Sequence, residues 1–250
     1  MSTHHPGDAD ITGDFFYNQK VSVKQHKKGF RFSIDAPLLA DFLPELPGGN
    51  ALEVGTGCGI ISLLTMYCRK FAFITALELQ PPLWRLAGIN VKDNGFSGKI
   101  EMVEGDFNVL YESFRGIEHV FSNPPYYLLN RGKLSPNPEI RDAKFETRLS
   151  LEQLMEKTSR ILGTQGNLYL ILPYERLEQT LSLAKEYGFF TGRLREVFSF
   201  KDGKQERFLI QLTNYSVSSQ IMPPLVIFKS KGVYTDQMNR ILFGPRITDD

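Results

Sequence analysis

The 250-residue sequence has few cysteines, no long apolar run and no excess charge of either sign. Its two cysteines, Cys58 and Cys68, would lie roughly 15 Å apart on a single helix, too far for a disulfide bond. Unpaired cysteines are typical of a reducing compartment, so we expect a cytoplasmic protein. No stretch approaches the ~18 apolar residues of a membrane-spanning helix, and the polar N-terminus lacks the apolar core of a signal peptide.

The charge balance excludes a strong global field, because 29 Lys and Arg face 28 Asp and Glu. A nucleic-acid surface would therefore have to be a local basic patch. The apolar fraction of 42% is enough for the core of one large domain. His4 and His5 are adjacent but have no partner cluster, so we predict no metal site. We also expect a monomer with no membrane partner.

A rigid motif, Asn123-Pro124-Pro125-Tyr126-Tyr127, follows the apolar run at residues 120–121. Two prolines cannot continue a strand or a helix, so the strand must end here. Ligands of open α/β sheets bind at the carboxyl ends of the strands. The motif thus predicts an amide, two carbonyls and an aromatic ring at a binding edge. A plain proline turn with an exposed tyrosine is the alternative.

Four polar side chains follow four successive predicted strands. A glycine turn, Gly55-Thr56-Gly57-Cys58-Gly59, joins the first strand to a helix, and its spacing differs from that of a dinucleotide site. The four side chains have separate predicted roles: Glu53 can pair with an ammonium group, Glu78 lies where ribose hydroxyls are bound, Asp106 can meet an adenine amine, and Asn123 belongs to the proline motif. Each alone could be a turn residue or a helix cap.

The N-terminal segment from Lys20 to Phe32 mixes cations and aromatic rings, which suits contacts with phosphates and bases. A solvated hairpin with two core phenylalanines would explain the same pattern. We therefore divide the chain into an N-terminal extension, residues 1–48, for substrate or RNA contact, and a main domain, residues 49–250. Lys27, Lys28 and Arg31 are the candidate substrate-binding cations of the extension.

Together the segments EVGTGCG, ALELQ, GDF and SNPPYY resemble the class I S-adenosylmethionine-dependent methyltransferases. The NPPY form is similar to that of enzymes that methylate exocyclic or amide nitrogens. GFRFSIDAPLLADFLP and LVIFKSKGVYTDQMNRIL further resemble the bacterial tRNA1(Val) adenine-37 N6-methyltransferase family. The likeness covers residues from about 20 to 243. One departure is Cys58, where a small alanine or serine is commoner.

The resemblance implies an α/β fold, a seven-stranded Rossmann-like sheet with helices on both faces. It implies S-adenosylmethionine as cofactor and tRNA as partner, with Asn123, Pro124 and Tyr126 as catalytic residues. The cofactor-binding residues are then Asp35, Glu53, Gly55, Gly57, Gly59, Glu78, Asp106 and Asn123. The residues on the substrate side are Pro125, Tyr126, Tyr127, Lys27, Lys28 and Arg31.

Several alternatives remain open from the sequence. The amine could belong to ribosomal RNA, to DNA or to a protein glutamine, or the chain could be a non-catalytic RNA-binding module. A nicotinamide oxidoreductase is a weaker alternative because the glycine spacing is wrong. Residues 128–148 read either as a substrate-binding flap or as a surface loop. A basic group in a later hairpin (Arg193, Arg195, Lys201, Lys204 and Arg207) reads either as a basic surface or as solvated strand faces.

Overall fold

Strands and helices alternate along the chain from Asn50 to Glu186, as a parallel sheet with crossover helices requires. The computed structural model describes residues 11–29, 31–45, 49–68, 70–124 and 148–244. Its strands are β1 (Ile11–Phe16), β2 (Val21–His26), β3 (Asn50–Val54), β4 (Phe73–Glu78), β5 (Ile100–Glu104), β6 (Ile117–Ser122), β7 (Leu162–Pro173), β8 (Phe190–Phe198), β9 (Gln205–Thr213), β10 (Gln220–Ile221), β11 (Leu225–Val226), β12 (Phe228–Ser230) and β13 (Val233–Tyr234). Its helices are α1 (Asp35–Phe42), α2 (Ile60–Tyr67), α3 (Pro81–Asp93), α4 (Phe107–Leu110), α5 (Leu151–Ile161), α6 (Leu177–Glu186) and α7 (Asp236–Phe243).

Seven long strands form the central sheet in the order β5-β4-β3-β6-β7-β9-β8. The first five are parallel, and β9 runs antiparallel to both β7 and β8. The short strands β10 and β11 add to the outer side of β8. The predicted seven-stranded Rossmann-like sheet is therefore confirmed, with two short strands at one edge.

The sheet has an apolar cluster on each face, and neighbouring residues of one strand enter different clusters. Val120 packs in one cluster and Phe121 in the other, as do Leu168 and Tyr169. Successive strand side chains point to opposite faces. A strand buried on both faces needs a continuous apolar run, and β7 has such a run at residues 168–172. Helices α1 and α2 cover one face and α5 the other.

The N-terminal hairpin of β1 and β2 packs on α3 through two asparagine side chains. The amides of Asn90 and Asn94 each exchange two hydrogen bonds with the backbone of β2, at Lys24 and Ser22 respectively. Residues four apart on a helix and two apart on a strand are separated by similar distances, about 6 Å. The two amides thus satisfy backbone hydrogen-bonding groups of β2, as a neighbouring strand would.

The starts of α5 and α1 are capped differently. Ser150 caps α5 with a complete capping box through Gln153. At the start of α1, Ile34 occupies the N-cap position without a side-chain bond. Asp35 is the first helical residue, where burial and an ion pair determine its role.

Candidate active site

The carboxyl ends of β3, β4, β5 and β6 meet along one edge of the sheet. The hydroxyl of Ser122, the last residue of β6, donates to the carbonyl oxygen of Val54, the last residue of β3, over 2.7 Å. This bond fixes the start of the proline motif relative to the start of the glycine turn. The topology thus brings the two predicted motifs into adjacent positions.

The glycine turn reverses direction between β3 and α2 by left-handed backbone geometry. Gly55, Gly57 and Gly59 have φ angles of +77°, +60° and +86°, which residues with a Cβ rarely adopt. A Cβ on Gly59 would lie 3.3 Å from the Cβ of Ala87 on α3. Gly55 and Gly57 line the cleft described below, whereas Gly59 supports the turn from beneath.

Glu78, the last residue of β4, holds the glycine turn with its carboxylate. One oxygen accepts from the backbone N–H of Gly57 and the other from that of Gln80, each over 2.8 Å. The side chain is buried yet lines the cleft. A carboxylate can accept about four hydrogen bonds in all, so its chemistry suits a ligand hydroxyl.

Glu53 lies beneath the glycine turn and is not among the residues that line the cleft. Its Oε2 accepts from the Thr56 hydroxyl over 2.7 Å and from the backbone N–H and hydroxyl of Ser62. Its Oε1 is buried and has no hydrogen-bond partner in the described part of the chain. Burial raises the pKa of Glu53 to about 7, and the hydroxyl donors oppose this rise.

Asp106 follows β5 and caps α4, with one carboxylate oxygen accepting from the backbone N–H of Asn108 over 2.8 Å. Asp106 also lines the cleft. The Asn108 amide in turn donates to the carbonyl oxygen of Arg148 over 2.7 Å. The end of β5 is therefore tied to the chain that enters α5 on the other side of the cleft.

Asn123 extends β6 by one residue and lines the same cleft, as does the buried Pro124. The Asn123 side-chain oxygen is buried and lacks a hydrogen-bond partner among the described residues. A buried amide oxygen without a partner carries a desolvation cost of about 1–3 kcal/mol. A ligand donor in the cleft would remove that cost.

The cleft that these side chains share has an empty volume of about 740 Å³, including space open to solvent. One end is lined by the ends of β3 to β5, and the other by the proline motif and the residues that precede α5. Its apolar wall consists of Val54, Leu77, Leu79, Leu83, Phe107 and Leu149. Its polar groups come mainly from Glu78, Gln80, Asp106, Ser122, Asn123 and Arg148.

Asp35 lies outside the cleft lining, buried against Arg207 of β9 in an ion pair. Burial raises the pKa of Asp35, and the guanidinium of Arg207 opposes the rise. Arg31 folds back onto the hairpin, where it donates to Thr12 over 2.6 Å and pairs with Asp14. Lys27 and Lys28 are exposed between β2 and α1.

Some predicted positions lie outside the described residues. Pro125, Tyr126 and Tyr127 belong to this group, as does most of the expected flap at residues 128–148. The structure places Gly55, Gly57, Glu78, Asp106, Asn123 and Pro124 together in one cleft. Their individual roles, and that of Glu53, stay predictions.

Sequence reasoning did not single out several contributors to the site. Ser122 joins the two motifs, and Leu149 and Arg148 form the wall opposite the glycine turn. Asn90 of α3 donates to the carbonyl oxygen of Cys58 inside the glycine turn over 2.8 Å. Among these residues, only Ser122 could have been expected from the sequence, because it directly precedes the proline motif.

Two features are absent from the described residues. No group of three or more His, Cys, Asp or Glu side chains there could hold a metal ion. Within the same residues, none of the helices has the length and apolarity to cross a membrane.

Comparisons with known sequences identify relatives that match nearly the whole chain. A tRNA1(Val) (adenine(37)-N6)-methyltransferase from Flavobacteriaceae bacterium (strain 3519-10) is 28% identical over 225 residues, which cover 89% of this chain and 94% of the relative. An enzyme of the same name from Porphyromonas gingivalis is 27% identical and covers 91% of this chain and 93% of its own. No protein-family model matches the chain.

A solved structure supports the fold. A predicted O-methyltransferase from Agrobacterium tumefaciens superposes with a TM-score of 0.65 at 18% identity, covering 83% of this chain and 94% of its own. The chain thus has the class I methyltransferase fold, and over about nine-tenths of its length its sequence resembles the tRNA1(Val) (adenine(37)-N6)-methyltransferases.

Proposed function

We propose that this chain transfers a methyl group from S-adenosylmethionine to the exocyclic N6 amine of an adenine in tRNA. The observation that carries the proposal is the buried side-chain oxygen of Asn123, which has no hydrogen-bond partner in the described part of the chain. Asn123 lines the same cleft as Glu78 and Asp106. The names of the relatives support tRNA as the substrate and position 37 of tRNA1(Val) as the target. We further propose a cytoplasmic monomer.

The cleft fits the cofactor by its chemistry. Glu78 and Asp106 are acceptors for ribose hydroxyls and for an adenine amine, and Leu79, Leu83 and Phe107 offer an apolar wall for a purine ring. The spacing of the glycine turn differs from that of a dinucleotide site, which argues against a nicotinamide cofactor. Glu53 would reach the cofactor's ammonium group only through Oε1, which has no partner within the described residues, or through a bridging water. When bound, S-adenosylmethionine supplies a methyl group that its sulfonium centre makes electrophilic.

The adenine amine is a poor nucleophile because its lone pair is delocalised into the ring. The Asn123 side-chain oxygen and the Pro124 carbonyl oxygen can each accept one of the two N–H groups. Accepting both draws the nitrogen toward tetrahedral geometry and frees its lone pair. These fixed dipoles also stabilise the positive charge that develops on nitrogen. The mechanism requires no strong general base.

The adenine must leave its stack to reach Asn123, as substrates of base-modifying enzymes do. Tyr126 is the proposed stacking platform, a contact worth about 1–3 kcal/mol. Lys27, Lys28 and Arg31 would contact the RNA backbone. Arg31 also pairs with Asp14, so contact with RNA would compete with that ion pair.

Two alternative functions can be compared with this proposal. Methylation of another exocyclic amine, in ribosomal RNA, DNA or a protein glutamine, needs the same two acceptors. A non-catalytic RNA-binding module would not need a cleft that combines Asn123 and Pro124 with two carboxylates, and this combination favours catalysis.

The test is methyl transfer from tritium-labelled cofactor to purified pools of tRNA, ribosomal RNA, DNA and protein. Nucleoside mass spectrometry of tRNA from cells with and without the protein then identifies the product. We expect label in tRNA and N6-methyladenosine that disappears without the protein. Label in protein alone would contradict the proposal.

A further inference from the structure

Two adjacent turns at the carboxyl edge of the sheet carry exposed lysines that the proposed site does not use. Residues 199–204 join β8 to β9, and residues 228–234 form the small hairpin of β12 and β13. The backbone N–H of Phe228 donates to the carbonyl oxygen of Ser199 over 2.9 Å, which holds the two turns together. The lysines of this surface are Lys201, Lys204, Lys229 and Lys231.

Aromatic rings form the centre of this surface. The rings of Phe228 and Tyr234 stack with centroids 5.1 Å apart, and Phe200 lies 5.7 Å from Phe228. Phe200 is 42% exposed although it is a large apolar side chain. Exposed rings between cations suit nucleic-acid bases, which stack on any aromatic face.

The charge of the surface is only partly neutralised. Lys229 pairs with Asp236 over 2.9 Å, whereas Lys201, Lys204 and Lys231 have no ion-pair partner among the described residues. Asp202 lies in the same turn. The other cations of this hairpin point elsewhere: Arg193 bonds to Phe42, Arg195 to Pro223 and Arg207 to Asp35. The lysine–aromatic surface is therefore a local basic patch on a nearly neutral chain.

The strand register places this surface beyond Asn123 on the substrate side. Ser122 of β6 is level with Leu170 of β7, and Arg207 of β9 is level with Pro173. By this register, Lys204 lies about five residues further along the direction of β6 than Asn123, and two strands away. At about 3.3 Å per residue and 4.8 Å per strand, the separation is roughly 15–20 Å. The cofactor residues Glu78 and Asp106 lie in the opposite direction across the sheet.

We propose that the lysine–aromatic surface, formed by Phe200, Lys201, Lys204 and Lys231, docks the RNA backbone next to the adenine that enters the cleft. The inference rests on the proposed function and adds a second RNA contact beside Lys27 and Lys28. The Asp35–Arg207 ion pair joins the start of α1 to the start of β9, three residues after Lys204. Phosphates bind the lysines, and Phe200 takes an unstacked base.

The test compares two triple variants of the full chain. The first carries Lys201→Gln, Lys204→Gln and Lys231→Gln. The control carries Lys92→Gln, Lys99→Gln and Lys185→Gln, three exposed lysines that lie toward the opposite edge of the sheet. Fluorescence anisotropy measures tRNA affinity across a salt titration, and calorimetry measures cofactor affinity. Equal net charge makes the two variants comparable.

We expect the first variant to bind tRNA at least tenfold more weakly than the control at physiological salt. Its log–log salt slope should fall by about 2–3, since each lost phosphate contact removes about one unit. Cofactor affinity should be unchanged in both variants. Equal affinities and slopes for the two variants would overturn the inference, as would a wild-type chain that binds no tRNA.

Failure of this surface and failure of the proposed function give different results. If the wild type methylates tRNA and the two triple variants behave alike, the function stands and the surface is wrong. If the salt slope changes as expected but no RNA is methylated, the surface stands and the proposed reaction is wrong. Phe200→Leu, which keeps an apolar contact with Phe228, should raise KM for tRNA without changing the salt slope; an unchanged KM would remove Phe200 from the surface.

Discussion

The side-chain amide of Asn90 donates to the backbone carbonyl oxygen of Cys58 over 2.8 Å, which ties α3 to the glycine turn. The same amide exchanges two hydrogen bonds with Lys24 of β2. Asn90 is thus a buried connection between the N-terminal hairpin and the cofactor side of the cleft.

Comparing Asn90 with Asn94 separates the effect of the bond to the glycine turn from the effect of the bonds to β2. Asn94 bonds to β2 in the same way but has no bond to the glycine turn. We expect both Asn90→Ala and Asn94→Ala to lower the free energy of unfolding. Only Asn90→Ala should weaken cofactor binding, by roughly 5- to 30-fold if 1–2 kcal/mol of support is lost. Calorimetric titration of both variants checks this, and equal cofactor affinities would contradict it.

Cofactor affinity should be sensitive to the loss of one acceptor oxygen of Glu78. In Glu78→Gln the new amide would direct an N–H group at the N–H of Gly57 or of Gln80, both of which now donate to the carboxylate. We expect cofactor affinity to fall roughly 10- to 100-fold. Glu104→Gln is the matched control, because Glu104 lies level with Glu78 on β5 but is exposed. A similar loss in both variants would argue against a specific role for Glu78.

Glu53 predicts a pH dependence of stability. Its pKa rises from an ordinary value of 4.5 to about 7 in the folded chain, mainly because of burial. Because the carboxyl group binds its proton more tightly in the folded chain, it contributes fully to folded-state stability below pH 4.5. This contribution is lost as pH rises through 7. The resulting change in the free energy of unfolding is about 3 kcal/mol at most. Urea unfolding between pH 4.5 and 8 should show this loss in the wild type but not in Glu53→Gln; identical profiles would refute it.

The Asp35–Arg207 ion pair predicts that substitutions of its two residues have non-additive effects on the free energy of unfolding. The Asp35 side chain is only 2% exposed, so Arg207→Gln would leave a buried carboxylate without its counter-ion. We expect a loss of about 3–5 kcal/mol in the free energy of unfolding. The double variant Asp35→Asn, Arg207→Gln should recover much of it. A double-mutant cycle by chemical denaturation measures this, and additive single effects would contradict it.

The sequence predicts the sheet and the cleft because both depend on local patterns. Apolar runs that end at Glu78, Asp106 and Asn123 identify parallel strands, and topology then places their carboxyl ends together. Glycines with positive φ and a double proline are equally local signals. These features account for the confirmed fold and for the six predicted residues in the cleft.

Tertiary contacts between distant segments were not predictable. Nothing local distinguishes Asn90 from an ordinary polar residue of a helix, because its partners lie 66 and 32 positions away. The burial of Arg193 and Arg195 likewise depends on the end of α1 and on the segment after β10. The predicted basic group therefore splits, and only Lys201 and Lys204 of it remain exposed without an ion pair among the described residues.

The most direct test of the central claim concerns the acceptor oxygen of Asn123. In Asn123→Ala we expect the single-turnover rate of methyl transfer to tRNA to fall at least ~100-fold, with cofactor affinity within about twofold of the wild type. Asn123→Asp, which retains acceptor oxygens, should keep a larger share of the rate. Near-normal turnover in Asn123→Ala would contradict the account.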